Sequence, residues 1–150
     1  MNELYRVTKW VQETFSENPI VNTVLFSKTT EMDMDKNIVY PIVNIDLIDT
    51  DPLGEIYTFN YQLTVLQERD IDNEMNNDKL LNADNQIDNL GETLSILSGF
   101  INELTYQYNT EEIELTRQSN ITYLRDFQRN GLDGCQVEIS LSIPNSNNCD

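Results

Sequence analysis

Residues 57–65 read Tyr57-Thr58-Phe59-Asn60-Tyr61-Gln62-Leu63-Thr64-Val65. Tyr57, Phe59, Tyr61, Leu63 and Val65 share one face, and Thr58, Asn60, Gln62 and Thr64 share the other. That period of two specifies a strand with one buried side. Its polar side carries hydroxyl and amide groups rather than charges, which suits contact with another chain; a face wetted by solvent is the competing reading. Upstream, in residues 38–49, Val43, Ile45 and Leu47 alternate with Asn44, Asp46 and Ile48. Pro41 has no N–H to give, so the early part of this strand is expected on an edge or at a bulge. Thr50-Asp51-Pro52-Leu53-Gly54 supplies turn chemistry between the two runs, and a long hairpin is implied.

Working outward, Leu4, Val7, Val11 and Phe15, with Trp10 beside them, recur at helical spacing. Asn2 is the expected N-cap of this helix and Asn18-Pro19 its stop. A short β-prone run, residues 20–26, follows. Beyond the hairpin, residues 68–84 are dominated by Asp, Glu and Asn, a long loop expected to order on assembly. Ile87, Leu90, Leu94, Leu97, Ile101, Leu104 and Tyr108 then step by three and four, predicting a long helix capped by Asp84 or Asn85 and packed across the sheet. A strand is expected around Ile113 and Leu115, then a polar stretch punctuated by Ile121, Tyr123, Leu124 and Phe127. After the turn-rich residues 130–134, Cys135, Val137, Ile139, Leu141 and Ile143 alternate with polar residues up to Pro144. The expected fold is α+β: an antiparallel sheet of four to five strands with a long hairpin, packed by an N-terminal helix and one long helix. Residues 1–144 form one domain in this reading, and 145–150 a polar tail.

Composition bounds function. With 150 residues the chain can bury one core without staples. Nine Lys plus Arg against 26 Asp plus Glu leave a net charge of -17. No basic run exists to displace counterions from a phosphate backbone, so specific nucleic-acid binding is not expected. Neither is a membrane partner, because no stretch approaches the ~18 apolar residues of a spanning helix. The opening Met-Asn-Glu-Leu-Tyr-Arg lacks a signal-peptide pattern, which points to synthesis in the cytoplasm. Cys135 and Cys149 are expected as reduced thiols.

The chain has no His, which removes imidazole-based triads and most zinc and haem sites. Two acidic segments, 31–35 and 70–74, invite a calcium reading. Both lack the Gly and terminal Glu of a calcium loop, so solvated acidic loops are expected and no metal or cofactor. No phosphate loop, nucleophile elbow or C-x-x-C is present, and the chain is read as a non-enzyme. Candidate contacts between copies are the acids Asp49, Asp51, Glu68, Asp70 and Asp72 with the bases Arg117, Arg125 and Arg129. Pairing within the chain is the alternative for the arginines.

Several stretches together resemble the small neck and tail proteins of tailed bacteriophages, the tail-terminator, tail-completion and head–tail connector group. They are Val21-Asn22-Thr23-Val24, the loop ending Asp35-Lys36, Ile38 to Ile45, the Phe59 to Val65 strand, the Leu90 to Leu104 helix, and Asn130 to Asn145. The resemblance implies a virion structural protein that forms a six-fold or twelve-fold ring around a channel and joins portal, neck or tail components. It carries no functional residues over. Acids lining such a channel would repel DNA and let it slide. A second reading of the charge is an acidic DNA mimic that inhibits a host nucleic-acid-binding protein.

Overall fold

A strand that is apolar on one side needs a cover for that side, and amphipathic helices provide it. The computed structural model describes residues 2–32, 38–69, 86–106, 112–128 and 131–144, which form two helices and a mixed sheet of six strands. In chain order these are α1 (Glu3–Ser16), β1 (Thr23–Phe26), a 3-10 turn (Thr29–Glu31), β2 (Ile42–Asp51), β3 (Ile56–Glu68), α2 (Gln86–Tyr106), β4 (Glu114–Gln118), β5 (Thr122–Phe127) and β6 (Leu132–Pro144). The strands lie in the order β1-β2-β3-β6, and β4 and β5 pair successive stretches along the outer edge of β6.

The α+β reading and both helices packed on the sheet hold; the sheet differs in two details. β1 runs parallel to β2, because residues 27–41 between them are long enough to carry the chain back to its starting end. β5 is a sixth strand in residues read as a polar stretch. As an outer strand it leaves Thr122, Tyr123, Arg125 and Asp126 exposed and shows no clean alternation. Pro41 also behaves differently from expectation. β2 begins one residue after it, so its missing N–H is not needed by the ladder, and Ile42 to Ile45 are paired on both sides, to β1 and to β3.

One side of the sheet carries the main core. Val43, Ile45, Phe59, Tyr61, Leu63, Val65, Val137, Ile139 and Leu141 meet Val7, Val11 and Phe15 of α1 and Ile96, Leu97, Phe100 and Ile101 of α2. Phe15 stacks on Phe100 at 4.3 Å between ring centroids, locking the two helices together. Asn2 caps α1 as its type suggests, its Oδ1 accepting from the Tyr5 N–H at 2.8 Å. Leu4 is not part of the buried stripe; Glu3 is buried in its place and Leu4 stays 38% exposed. Tyr61 is fully buried, and its hydroxyl lies 2.7 Å from Thr8 Oγ1 of α1. Burial pushes its phenol up to about 12 against the opposing Thr8 hydrogen bond, so it stays protonated.

α2 is rolled relative to its leucine stripe. Leu97, Ile101 and Leu104 are buried, but Ile87 is 74% exposed, while Gln86, Asn89 and Thr93 are buried. The reason lies in β6, where the side chain beneath this end of α2 is the carboxylate of Asp133. Tyr108 and the expected caps Asp84 and Asn85 lie outside the described residues.

Gly134 shows how tightly β3 and β6 meet. A Cβ at this position would lie 1.8 Å from the Val65 carbonyl oxygen, a backbone atom that cannot move aside. Gly134→Ala is therefore expected to cost at least ~2–3 kcal/mol of stability, measured by urea unfolding. Wild-type stability in the variant would contradict this packing.

Candidate functional site

Opposite the helices, the outer side of the sheet is built by cross-strand partners. β3 contributes Thr58, Asn60, Gln62 and Thr64, and β6 sets Ser142, Ser140, Glu138 and Gln136 directly beside them. Two bulges complete the rows. In β2, Leu47 pairs Tyr61 and Asp49 pairs Asn60, so Ile48 is an extra residue. It flips the alternation and brings Asp49 and Asp51 to the outer side, where an unbroken strand would aim them at the core. A second bulge at Thr116 of β4 does the same for Arg117, which pairs Ser140.

The result is a continuous row, Asp49, Asn60, Ser140 and Arg117, one residue from each of four strands. Three strand spacings make it about 14 Å across. Ser140 Oγ donates to Asn60 Oδ1, and Asn60 Nδ2 donates to Asp49 Oδ1. Asp49, Arg117 and Ile48 border a cavity of about 140 Å³ over this row. The neighbouring rows are equally tied: Thr58 Oγ1 to Ser142 Oγ at 2.8 Å, and Gln136 Nε2 to Thr64 Oγ1 at 3.0 Å. Thr29 donates through its N–H to Asp46 and through its hydroxyl to Gln62. At one end the polar rows give way to a second apolar cluster of Met32, Ile42, Leu66 and Leu132, against which Leu124 and Phe127 of β5 pack.

On the helix side, Asp133 of β6 is fully buried and ionised. Its carboxylate accepts from Arg69 Nε at 2.9 Å and Nη2 at 2.6 Å, from Gln86 Nε2 at 3.0 Å and from the Asp126 N–H at 3.0 Å. Burial alone would raise its pKa. The hydrogen bonds from Arg69, Gln86 and Asp126, with the Arg69 charge, outweigh burial and hold it down to about 2. Arg125 Nη2 donates to Gln86 Oε1, and Asn89 Nδ2 to the Glu68 carbonyl. Arg69 and Gln86 are the residues on either side of 70–85, so one carboxylate ties together both flanks of the acidic segment.

Two titratable groups of β6 on the helix side are closed to solvent. Asp133 has its oxygens occupied and no solvent access, and the Cys135 thiol is buried, which pushes its pKa up against the Thr93 hydrogen bond. Among the described residues no three Asp, Glu or Cys side chains gather where they could hold a metal ion. No helix among them is long and apolar enough to cross a membrane.

Of the residues expected at contacts between copies, Asp49 and Arg117 are brought into one row, both exposed. Asp51 sits at the far end of β2 opposite Thr58, and Glu68 ends β3. Arg125 is engaged with Gln86 inside the chain. Asp70, Asp72 and Arg129 lie outside the described residues. The Asp133 cluster was missed in the sequence because 130–134 reads as a turn. Extending the inward series Val137, Cys135 back by one step would have placed Asp133 against the helices. Comparison of the chain with models of known protein families, and with curated proteins, finds no match.

Asp133→Asn breaks a buried ion pair and is expected to cost ~3–5 kcal/mol, read by chemical unfolding near neutral pH. The sign of the pH effect follows from a depressed carboxylate. The Asp133 contribution is full above about 4, the ordinary aspartate range, and is lost as pH falls towards about 2. The gap between wild type and variant should therefore close over that window. A gap that stays constant from about pH 5 to about pH 2 would contradict it.

Proposed function

We propose that the chain is a structural subunit of a tailed-phage virion. In this reading, copies close into a six-fold or twelve-fold ring in the neck or tail, join portal or neck to tail, and surround the DNA channel. The resemblance in sequence supplies the class, and the observation that carries the reading is the outer side of the sheet. Its two central strands, β3 and β6, present rows of Ser, Thr, Asn and Gln side chains tied by hydrogen bonds to one another. A surface whose rotamers are fixed before contact loses little side-chain entropy on association. Of the eight side chains that β3 and β6 place in these rows, Glu138 alone is charged, which matters for copies that each carry a charge of -17.

A DNA mimic fits less well. It needs acids spaced along one open face, whereas here Glu138 is the one acid among the eight outward side chains of β3 and β6, Asp46 is nearly buried and bonded to Thr29, and Arg117 interrupts the rim.

Native mass spectrometry of the purified chain, alone and with portal or tail partners, tests the reading. Six or twelve copies per particle, together with recovery of the chain in purified virions, is the expected result. Absence of the chain from every virion particle would sink it.

A further inference from the structure

α1 and the β1–β2 edge leave a groove of about 440 Å³ between them, walled by Leu4, Tyr5, Phe26 and Leu47. Leu4, Tyr5 and Phe26 are 38, 48 and 51% exposed, so the apolar wall is open to solvent. No acid borders it. Its one charged lining residue among those described is Lys9, whose Nζ stands 5.4 Å from the Tyr5 ring centroid and 3.9 Å from Glu13 Oε1, a loose pair with both side chains at least half exposed. In a chain with 26 acids and nine bases, that is an unusual stretch of surface.

The β2–β3 hairpin ends in an exposed apolar tip. Leu53, at 77%, is the most exposed large apolar residue among those described, and Ile56 beside it is 51% exposed. The turn that carries Leu53 is closed by the Ile56 N–H on the Leu53 carbonyl at 3.2 Å, with Gly54 at φ +66. The knob is therefore shaped before it meets anything. Asp51 and Glu55 flank it, and residues 38–68 contain no Lys or Arg. Leu53 and Ile56 border a different hollow, with Glu112, Glu114 and Pro144, and no residue borders both that hollow and the groove.

We infer that the Leu53 tip of one copy seats in the groove between α1 and Phe26 of the next copy, with Lys9 facing Asp51 and Glu55. The occupant is a second copy because the groove's charge matches this chain's own tip: an acidic, apolar knob meets an acid-free apolar groove with one cation at its rim. Knob and groove are different patches of the same surface. The contact is therefore heterologous and propagates, closing into a ring when the rotation per step allows. The inference rests on the ring reading above and names the surfaces that would make the ring.

Sedimentation analysis of two variants and their mixture tests it. Leu53→Asp removes the knob and keeps the groove; Phe26→Asp spoils the groove and keeps the knob. Both positions are more than half exposed, so each variant is expected to fold, which circular dichroism checks. Each variant alone should self-associate at least ~10-fold more weakly than wild type. Mixed in equal amounts they should form a pair that stops at two chains, since only one good knob and one good groove remain. Variants that associate like wild type, or a mixture that yields no pair, overturn the inference. If rings persist in both variants, the surface assignment fails while the ring reading stands. If the wild-type chain never self-associates at any soluble concentration, the tip-in-groove contact is wrong, and virion recovery separately decides the ring.

Discussion

The pairing of β3 with β6 sets everything else in the molecule. Thirteen residues of each strand are in register, from Ile56 opposite Pro144 to Glu68 opposite Leu132. In a two-sided sheet a slip by one residue exchanges the faces. Such a slip would turn Val137, Ile139 and Leu141 outward and bring Glu138 and Ser140 beneath the helices. The close approach of Gly134 to Val65 holds the register from one end. With it fixed, β2 adds to the free edge of β3, β4 and β5 add to that of β6, the helices cover one side, and the polar rows form on the other.

Charge is the second constraint. Copies of a chain at -17 repel one another, so any surface on which they meet must be neutral or locally complementary. The described part of the molecule has two such surfaces. The outer rows of β3 and β6 use hydroxyls and amides that already bond to each other, with Glu138 their one charge and Asp49 opposed by Arg117 at the two ends of one row, and the groove beside α1 is apolar with a single lysine. Buried Asp133 is matched by Arg69 and used to join the two flanks of the most acidic segment.

Much of the fold was legible because it rests on short periods. The alternation of 57–65 and of 135–143 placed β3 and β6, and the helical spacing of Val7, Val11 and Phe15 with the Asn2 cap placed α1. What was not legible depends on breaks in period or on distant partners. Ile48 looks like one more step of alternation, yet it is the bulge that moves Asp49 and Asp51 to the outer side. β5 hides its strand character because most of its side chains face solvent. The Asp133 cluster joins positions 64 and 47 residues apart in sequence, and only the folded register brings Arg69 and Gln86 to one carboxylate. The same cluster explains why α2 turns Gln86, Asn89 and Thr93 inward and leaves Ile87 out. Leu4 left its expected place for a related reason: Glu3 took the buried position, and Leu4 became a wall of the groove.

The central claim is that this is a ring subunit whose contacts are the neutral and apolar parts of an acidic surface. An electron cryomicroscopy map of the virion neck and tail, resolved well enough to trace β2 and β3, addresses it most directly. The account predicts cyclic copies of this sheet around the DNA channel, with acids turned away from the subunit contacts. A map in which the copies meet through their acidic rims, or in which no copy surrounds the channel, would contradict it.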